Sequence, residues 1–268
     1  MPAVAYIYEL AAIISTHPTM TLHDRYIGGE TEKVYEDIYA LGQDAFLPAN
    51  LHEIEKVLIE TFQRVSYNLD IIYKELKAVN YLFKTDPEYN FEKPLHKPLP
   101  DTDILLEQLG NAVKPFGFVP LSMKFFYKIV GGVNFVWDYE TNEDFMWEMA
   151  DPIQIASLDA VVETVTDEYW QEDIQQYVDD ENFGNAFLDL AADDLHKDNV
   201  SGGQAYAIQI TKEPSIDSNF MNEPNDTTFI NYLRICFEYC GFPSITRPDM
   251  NNDYQAFFDK VKPRLKKI

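Results

Sequence analysis

A single apolar stripe in residues 51–83 constrains the fold more than any other feature of the sequence. Its apolar side chains recur three and four residues apart, which is the spacing of one face of an α-helix. A helix of that length spans about 50 Å, at roughly 1.5 Å per residue. The stripe can pack inside the chain or form the seam of a coiled-coil dimer. We expect internal packing and a monomer, because the helices predicted at 3–15 and 30–41 need a surface to pack against. The stripe consists of Leu51, Ile54, Leu58, Phe62, Val65, Leu69, Ile72, Leu76, Val79 and Phe83.

The rest of the chain divides into two predicted regions. Residues 1–114 are predicted to form a helical N-terminal region, and residues 115–268 a domain that mixes helices with strands. The fold class predicted is α+β, with a mostly antiparallel sheet flanked by helices and with the N-terminal region as an extension. The predicted details are a proline-rich surface linker at 85–101, helices at 103–113 and from Pro120 to Gly131-Gly132, strands at 133–138, 153–155, 186–190 and 204–210, and a frayed basic tail after 256.

The charge limits the classes of partner. The chain has 21 Lys and Arg residues against 45 Asp and Glu residues, for a net charge of −24. Such a surface repels nucleic acids and anionic lipids and attracts basic proteins, although solubility alone explains it equally well. No segment has the length of a membrane span, and the apolar N-terminus carries Glu9 and lacks the basic residues of a signal peptide. Cys236 and Cys240 are spaced too far apart on one predicted helix for a disulfide, which suits a cytoplasmic protein.

The segment ADDLHKDNVSGG, residues 192–203, is the strongest candidate for a catalytic site. Its carboxylates and imidazole can in principle hold a divalent metal for hydrolysis; they belong to Asp193, Asp194, His196 and Asp198. However, metal sites draw ligands from several elements, and this spacing departs from the calcium-loop pattern. Asp, Asn, Ser and Gly also stabilise tight turns, and Gly202-Gly203 fits that interpretation. The turn is the preferred reading, and we expect no enzyme activity, no metal and no cofactor.

Two acidic and aromatic segments, 137–152 and 166–183, remain as candidate interfaces. Either they are solvated faces, or their aromatic side chains anchor a basic partner while the carboxylates steer it. The residues assigned to such an interface are Glu143, Asp144, Trp147, Tyr169 and Trp170, together with Asp193, Asp194, His196 and Asp198 if the loop also contacts the partner.

The order of short motifs between residues 115 and 245 resembles the SUKH superfamily. The motifs are Pro120-Leu121, Phe125-Phe126-Tyr127, Gly131-Gly132, Asp151-Pro152-Ile153, Ile155, Leu158, the two strands with an Asp-rich loop, and Phe229-Ile230 with Tyr232-Leu233. That superfamily contains the yeast cell-wall assembly regulator and many bacterial immunity proteins. The helical region 1–114 is not part of its common core.

The resemblance implies a non-catalytic α+β domain. Bacterial members typically bind and neutralise a toxin, often a nuclease, that is encoded beside them. The comparable loop in the superfamily carries an Asp and a Gly that set its shape, which here correspond to Asp193 or Asp194 and to Gly202 or Gly203. The function expected is therefore an immunity protein that binds a basic toxin, with a metal-dependent hydrolase or a helical scaffold as alternatives.

Overall fold

The computed structural model describes residues 20–85, 93–142, 144, 146–180, 184–245 and 252–268, so the predicted helix at 3–15 lies outside the described residues. The described helices are α1 Leu22–Ile27, α2 Thr31–Ala40, α3 Pro48–Ala78, α4 Thr102–Val113, α5 Leu121–Ile129, α6 Leu158–Thr166, α7 Glu168–Asp179, α8 Asp194–Lys197, α9 Phe229–Glu238 and α10 Asn252–Val261, with 3₁₀ turns at Gly42–Phe46 and Lys262–Arg264. The described strands are β1 Leu95–His96, β2 Gly132–Asn134, β3 Gln154–Ile155, β4 Phe187–Ala191, β5 Tyr206–Gln209, β6 Asn219–Met221 and β7 Thr227–Thr228.

The long helix α3 is the central element of the N-terminal region. It begins at Pro48, whose fixed φ and missing N–H suit the first turn of a helix. The stripe residues between Ile54 and Leu76 are at most 1% exposed, and Phe62 meets Phe126 of α5 edge-on at 6.2 Å between ring centroids. The stripe therefore packs inside this chain, as predicted. The helix ends five residues earlier than predicted, because Asn80 adopts a left-handed φ of 59°.

Two small antiparallel sheets confirm the α+β class. The first has the order β1-β2-β3 and the second the order β4-β5-β6-β7. Strand β1 lies inside the stretch predicted to be a surface linker, and its Leu95 pairs with Val133 of β2. The linker prediction is therefore wrong for that part, whereas residues 86–92 lie outside the described residues. The prolines of the stretch flank the strand without interrupting it, since Pro94 and Pro98 stand on either side of the paired residues.

The turn between α5 and β2 depends on glycine. Gly131 has a φ of 101°, and a Cβ at that position would lie 2.3 Å from the backbone oxygen of His96. Only glycine tolerates both the left-handed backbone and the close approach of β1. Gly132 continues into β2, where a Cβ would approach the backbone oxygen of Ile155 to 3.3 Å.

The hydrophobic core continues across the boundary predicted at residue 115. Helix α3 packs on α5, α4 packs on α6, and β1 pairs with β2. The buried side chains on both sides of the boundary belong to one cluster. The helical region and the α+β region are thus joined by a shared core.

The C-terminal tail is ordered against α3, so the prediction of a frayed tail is wrong. The side chain of the fully buried Asn68 donates to the backbone oxygen of Lys266 at 2.9 Å and accepts from its N–H at 2.8 Å. Arg264 and Lys260 both pair with Glu75, whose side chain is 7% exposed. These partners lie almost two hundred residues away along the chain, which is why the local pattern of basic residues did not reveal them.

Candidate functional site

The segment 192–203 folds into one helical turn rather than an open loop. Asp193 is the N-cap of α8, and its carboxylate accepts from the N–H groups of Leu195 at 3.0 Å and His196 at 3.2 Å. The imidazole Nδ1 of His196 contacts the second oxygen of the same carboxylate. These are the local bonds that Asp makes at helix N-termini, so Asp193 has a structural role here.

Lys197 in this turn is fully buried and forms an ion pair with an equally buried Asp151. Its Nζ lies 2.6 Å from Oδ1 of Asp151 and 4.4 Å from the ring centroid of Tyr206. The Tyr206 hydroxyl donates to the other carboxylate oxygen at 3.1 Å. Burial raises the pKa of Asp151, and the Lys197 ammonium opposes that rise. The ion pair connects the turn to the segment that precedes β3. In that segment Met149 and Asp151 both have a positive φ.

The carboxylates of this segment do not converge on a metal-binding point. Asp194 and Asp198 lie at opposite ends of the turn, and the Asp193 carboxylate already accepts hydrogen bonds from the backbone as the N-cap of α8. Among the described residues, no group of three or more His, Cys, Asp or Glu side chains is placed to hold a metal ion. Asp198 has a buried Oδ2 without a hydrogen-bond partner in the described part of the chain, and burial raises its pKa to about 6.

Glycine shapes the exit from the turn. Gly202 has a φ of 132°, and a Cβ on Gly203 would lie 2.0 Å from Oδ1 of Asp193. The Asp193 carboxylate therefore has space to cap α8 only because residue 203 has no side chain. The geometry is that of a shaped connection between β4 and β5, which pair antiparallel with Leu188 opposite Ile208.

The sequence predicts that Trp147 anchors an interface, but the side chain lies in the core and is 6% exposed. Its ring meets those of Phe242 at 4.8 Å, Phe257 at 5.0 Å and Tyr254 at 5.2 Å. The interpretation fails because the distant helix α10 covers the indole. Asp144 is exposed, and Glu143 lies outside the described residues.

Tyr169 and Trp170 lie in the first turn of helix α7, at the surface of the protein. Tyr169 is 68% exposed, and Trp170 is half-buried with its ring 5.7 Å from that of Phe116. Tyr169, Trp170 and Phe116 form an aromatic patch at the N-terminal end of α7.

Helix α7 carries acidic side chains and no basic ones. Glu168, Glu172 and Asp173 are exposed, and within the described residues none of them pairs with a lysine or arginine. Asp167 is the N-cap and accepts from the N–H of Tyr169 at 2.8 Å. We define the α7 face as the exposed acidic side chains of this helix together with its aromatic patch.

A charge pattern in the sequence marks this region. Residues 129–196 contain 18 Asp and Glu residues and not one Lys or Arg. Lys197 ends the run, but it is buried against Asp151 and adds no positive charge to the surface. Most of the net charge of the chain therefore belongs to one stretch, which could have been found by counting each sign along the sequence.

The two cysteines are free and buried, as predicted. Burial raises the pKa of both thiols, and that of Cys240 reaches about 12. Thiols of this kind are poor nucleophiles, because the thiolate is the reactive form.

No protein-family model, curated protein or solved structure matches the chain. In the part of the chain that the structure describes, no helix has the length and apolar character needed to cross a membrane.

Proposed function

We propose that the chain is a non-catalytic binding module that captures a basic protein through the α7 face. The observation that carries the proposal is an exposed helix with an aromatic patch, whose Glu168, Glu172 and Asp173 pair with no lysine or arginine among the described residues, in a stretch of sequence that contains neither residue type. Carboxylates of this kind accelerate the encounter with a cationic partner, and aromatic side chains supply the contacts that slow its dissociation. The same potential disfavours nucleic acids.

The resemblance to the SUKH superfamily extends the proposal to an immunity protein. In that role the partner is a basic toxin, such as a nuclease, whose positive surface normally holds a polyanion. Buried reduced thiols are compatible with a cytoplasmic location, where such a protein would act. The apolar stripe of α3 is buried inside this chain, so it is not available as the dimerisation surface of a helical scaffold. We therefore propose that the protein is a monomer.

Capture from a lysate of the native host tests the proposal. The chain is used as bait at low salt, and the recovered protein is purified and its association rate measured at increasing NaCl concentration. We expect a basic partner whose association slows as salt rises. An acidic partner, or an association rate indifferent to salt, would contradict the proposal.

Tyr169→Ala separates anchoring from steering. Tyr169 is exposed, so its truncation leaves the core intact, and we expect faster dissociation with little change in association rate. Leu47→Ala is the control, because Leu47 is a large exposed apolar residue outside the α7 face. Trp147 is unsuited to this test, since its loss would open the core.

A further inference from the structure

The outer face of the second sheet lies open beside α7. Side chains alternate along β4, so Leu188 and Leu190 face the core while Phe187 and Asp189 face outward. Ala207 of β5 pairs with both Asp189 and Met221, which places these three side chains on the same face. Tyr177 of α7 closes one side, with its ring 5.0 Å from that of Phe187.

These residues enclose a groove of about 180 Å³. Its lining includes Tyr177, Phe187, Asp189, Ala205, Met221 and Asn222. Apolar atoms of the aromatic rings and of Met221 form part of its wall, polar groups form the larger part, and Asp189 supplies a carboxylate. The groove therefore combines an apolar strip along Phe187 and Met221 with one negative charge.

The side-chain carboxylate of Asp189 makes no hydrogen bond or salt bridge with the described residues, so no lysine or arginine among them neutralises it. The carboxylate is exposed at the groove surface, and the groups crowded around it remove enough water to raise its pKa to about 6. An adjoining depression, which shares Tyr177, adds Asp173 and Asp180. The segments just before β5 and just after β6 bring only uncharged groups to the groove, namely Gln204, Ala205 and Asn222.

We propose that this groove receives one lysine or arginine side chain of the basic partner. The inference rests on the proposed function and names the point of contact within it. The methylene stem of such a side chain would lie along Phe187 and Met221, and its cationic head would meet Asp189. Long cationic side chains bury their stems on apolar surface in this way. The acidic depression beside Tyr177 then attracts the neighbouring basic residues of the same segment.

A short peptide tests the groove without the native partner. The probe is acetyl-Gly-Arg-Gly-amide, and its matched control is the citrulline peptide, which has the same shape without the charge. The methyl group of Met221 is followed by NMR in 20 mM salt, because it lines the groove. We expect the arginine peptide to shift the Met221 signal in a saturable manner and the citrulline peptide to leave it unchanged.

Three variants decide whether the Asp189 carboxylate receives the cationic side chain. Asp189→Asn is expected to weaken peptide binding about fivefold or more, which is the effect of losing a partly shielded charge pair. Asp44→Asn removes an exposed carboxylate outside the groove and is expected to change binding by less than about twofold. Ala205→Lys, which places a cation in the groove, is expected to abolish the shift.

The outcomes separate the groove from the wider proposal. If the captured partner associates in a salt-dependent way but Asp189→Asn and Asp44→Asn behave alike toward the peptide, the groove is not the receptor and the proposed function stands. An equal Met221 shift with the citrulline peptide also overturns the groove. If no basic partner is captured, the proposed function fails whatever the peptide does.

Discussion

Lys197 and Asp151 are each withdrawn from water, so neither charge can be solvated if its partner is removed. Lys197→Met leaves the Asp151 carboxylate with the Tyr206 hydroxyl as its remaining side-chain donor. We expect this variant to lower the free energy of unfolding by about 3–5 kcal/mol, measured by urea denaturation. The double variant with Asp151→Asn should recover part of that loss, because it removes the stranded charge. A single variant as stable as the wild type would contradict the structural role assigned to the ion pair.

Gly131→Ala tests the packing of the turn between α5 and β2, and Gly110→Ala in α4 provides the contrast. Gly131→Ala must strain a left-handed backbone and displace the His96 carbonyl, and we expect a loss of about 1–3 kcal/mol in unfolding free energy. Gly110 lies within α4, and its Cβ would meet nothing within 4 Å. Gly110→Ala should therefore stabilise the protein by about 0.5–1 kcal/mol. Thermal unfolding of both variants measures the contrast, and equal effects would refute it.

At the scale of elements, α3 and the C-terminal tail are joined by one buried amide. Asn68→Ala removes both hydrogen bonds to the backbone of Lys266, so the N–H and C=O groups of Lys266 lose these partners. We expect a loss of about 1–3 kcal/mol and faster hydrogen exchange at Lys266. His52→Ala, at an exposed position of the same helix, is the control and should be close to neutral. Unchanged exchange at Lys266 in the Asn68 variant would show that the amide does not hold the tail.

The sequence predicted the elements whose signals are local. The stripe of α3, the helix ending before Gly131 and the paired strands β4 and β5 all follow from periodicity and glycine placement. The sequence did not predict β1, because two paired residues carry no alternation of their own. Helix α1 and the turn α8 are shorter than the window over which helical periodicity can be recognised.

In the candidate site, too, the sequence predicted the local features but not the contacts between distant segments. The sequence predicts a turn shaped by Asp193 or Asp194 and by Gly202 or Gly203, because capping and positive φ are local properties. In the structure Asp193 caps α8 and Gly202 has a φ of 132°. The partnership of Lys197 with Asp151 and the burial of Trp147 depend on segments 46 and about 100 residues away, which no local pattern reveals.

For the whole molecule, carboxylates whose pKa is raised by loss of water contribute to the dependence of stability on pH. The folded-state pKa values of Asp189 and Asp198 are raised to about 6, so between their ordinary values and pH 6 the native state binds more protons than the unfolded state. Stability must then fall as pH rises through that window. The lysine and arginine bonded to Glu75 lower its pKa, so its contribution is lost only under more acidic conditions.

We therefore expect the melting temperature to rise as pH falls from about 7.5 to about 5, and to decline below about 4. Asp198→Asn should flatten the rise, because it removes one of the groups responsible. Glu53→Gln should leave it intact, since the pKa of Glu53 is lowered by Lys56. A melting temperature that falls steadily from pH 7.5 downward would contradict this account.

The most direct test of the binding account compares two charge-reversed variants with the same net charge. Glu172→Lys with Asp173→Lys alters the α7 face, whereas Glu36→Lys with Asp44→Lys alters exposed carboxylates of the N-terminal region. The association rate of each with the captured basic partner is measured at low salt. Capture by the α7 face predicts that the first variant associates at least about tenfold more slowly than the second. Equal rates for the two variants would show that the charge acts only as a whole and that α7 is not the docking surface.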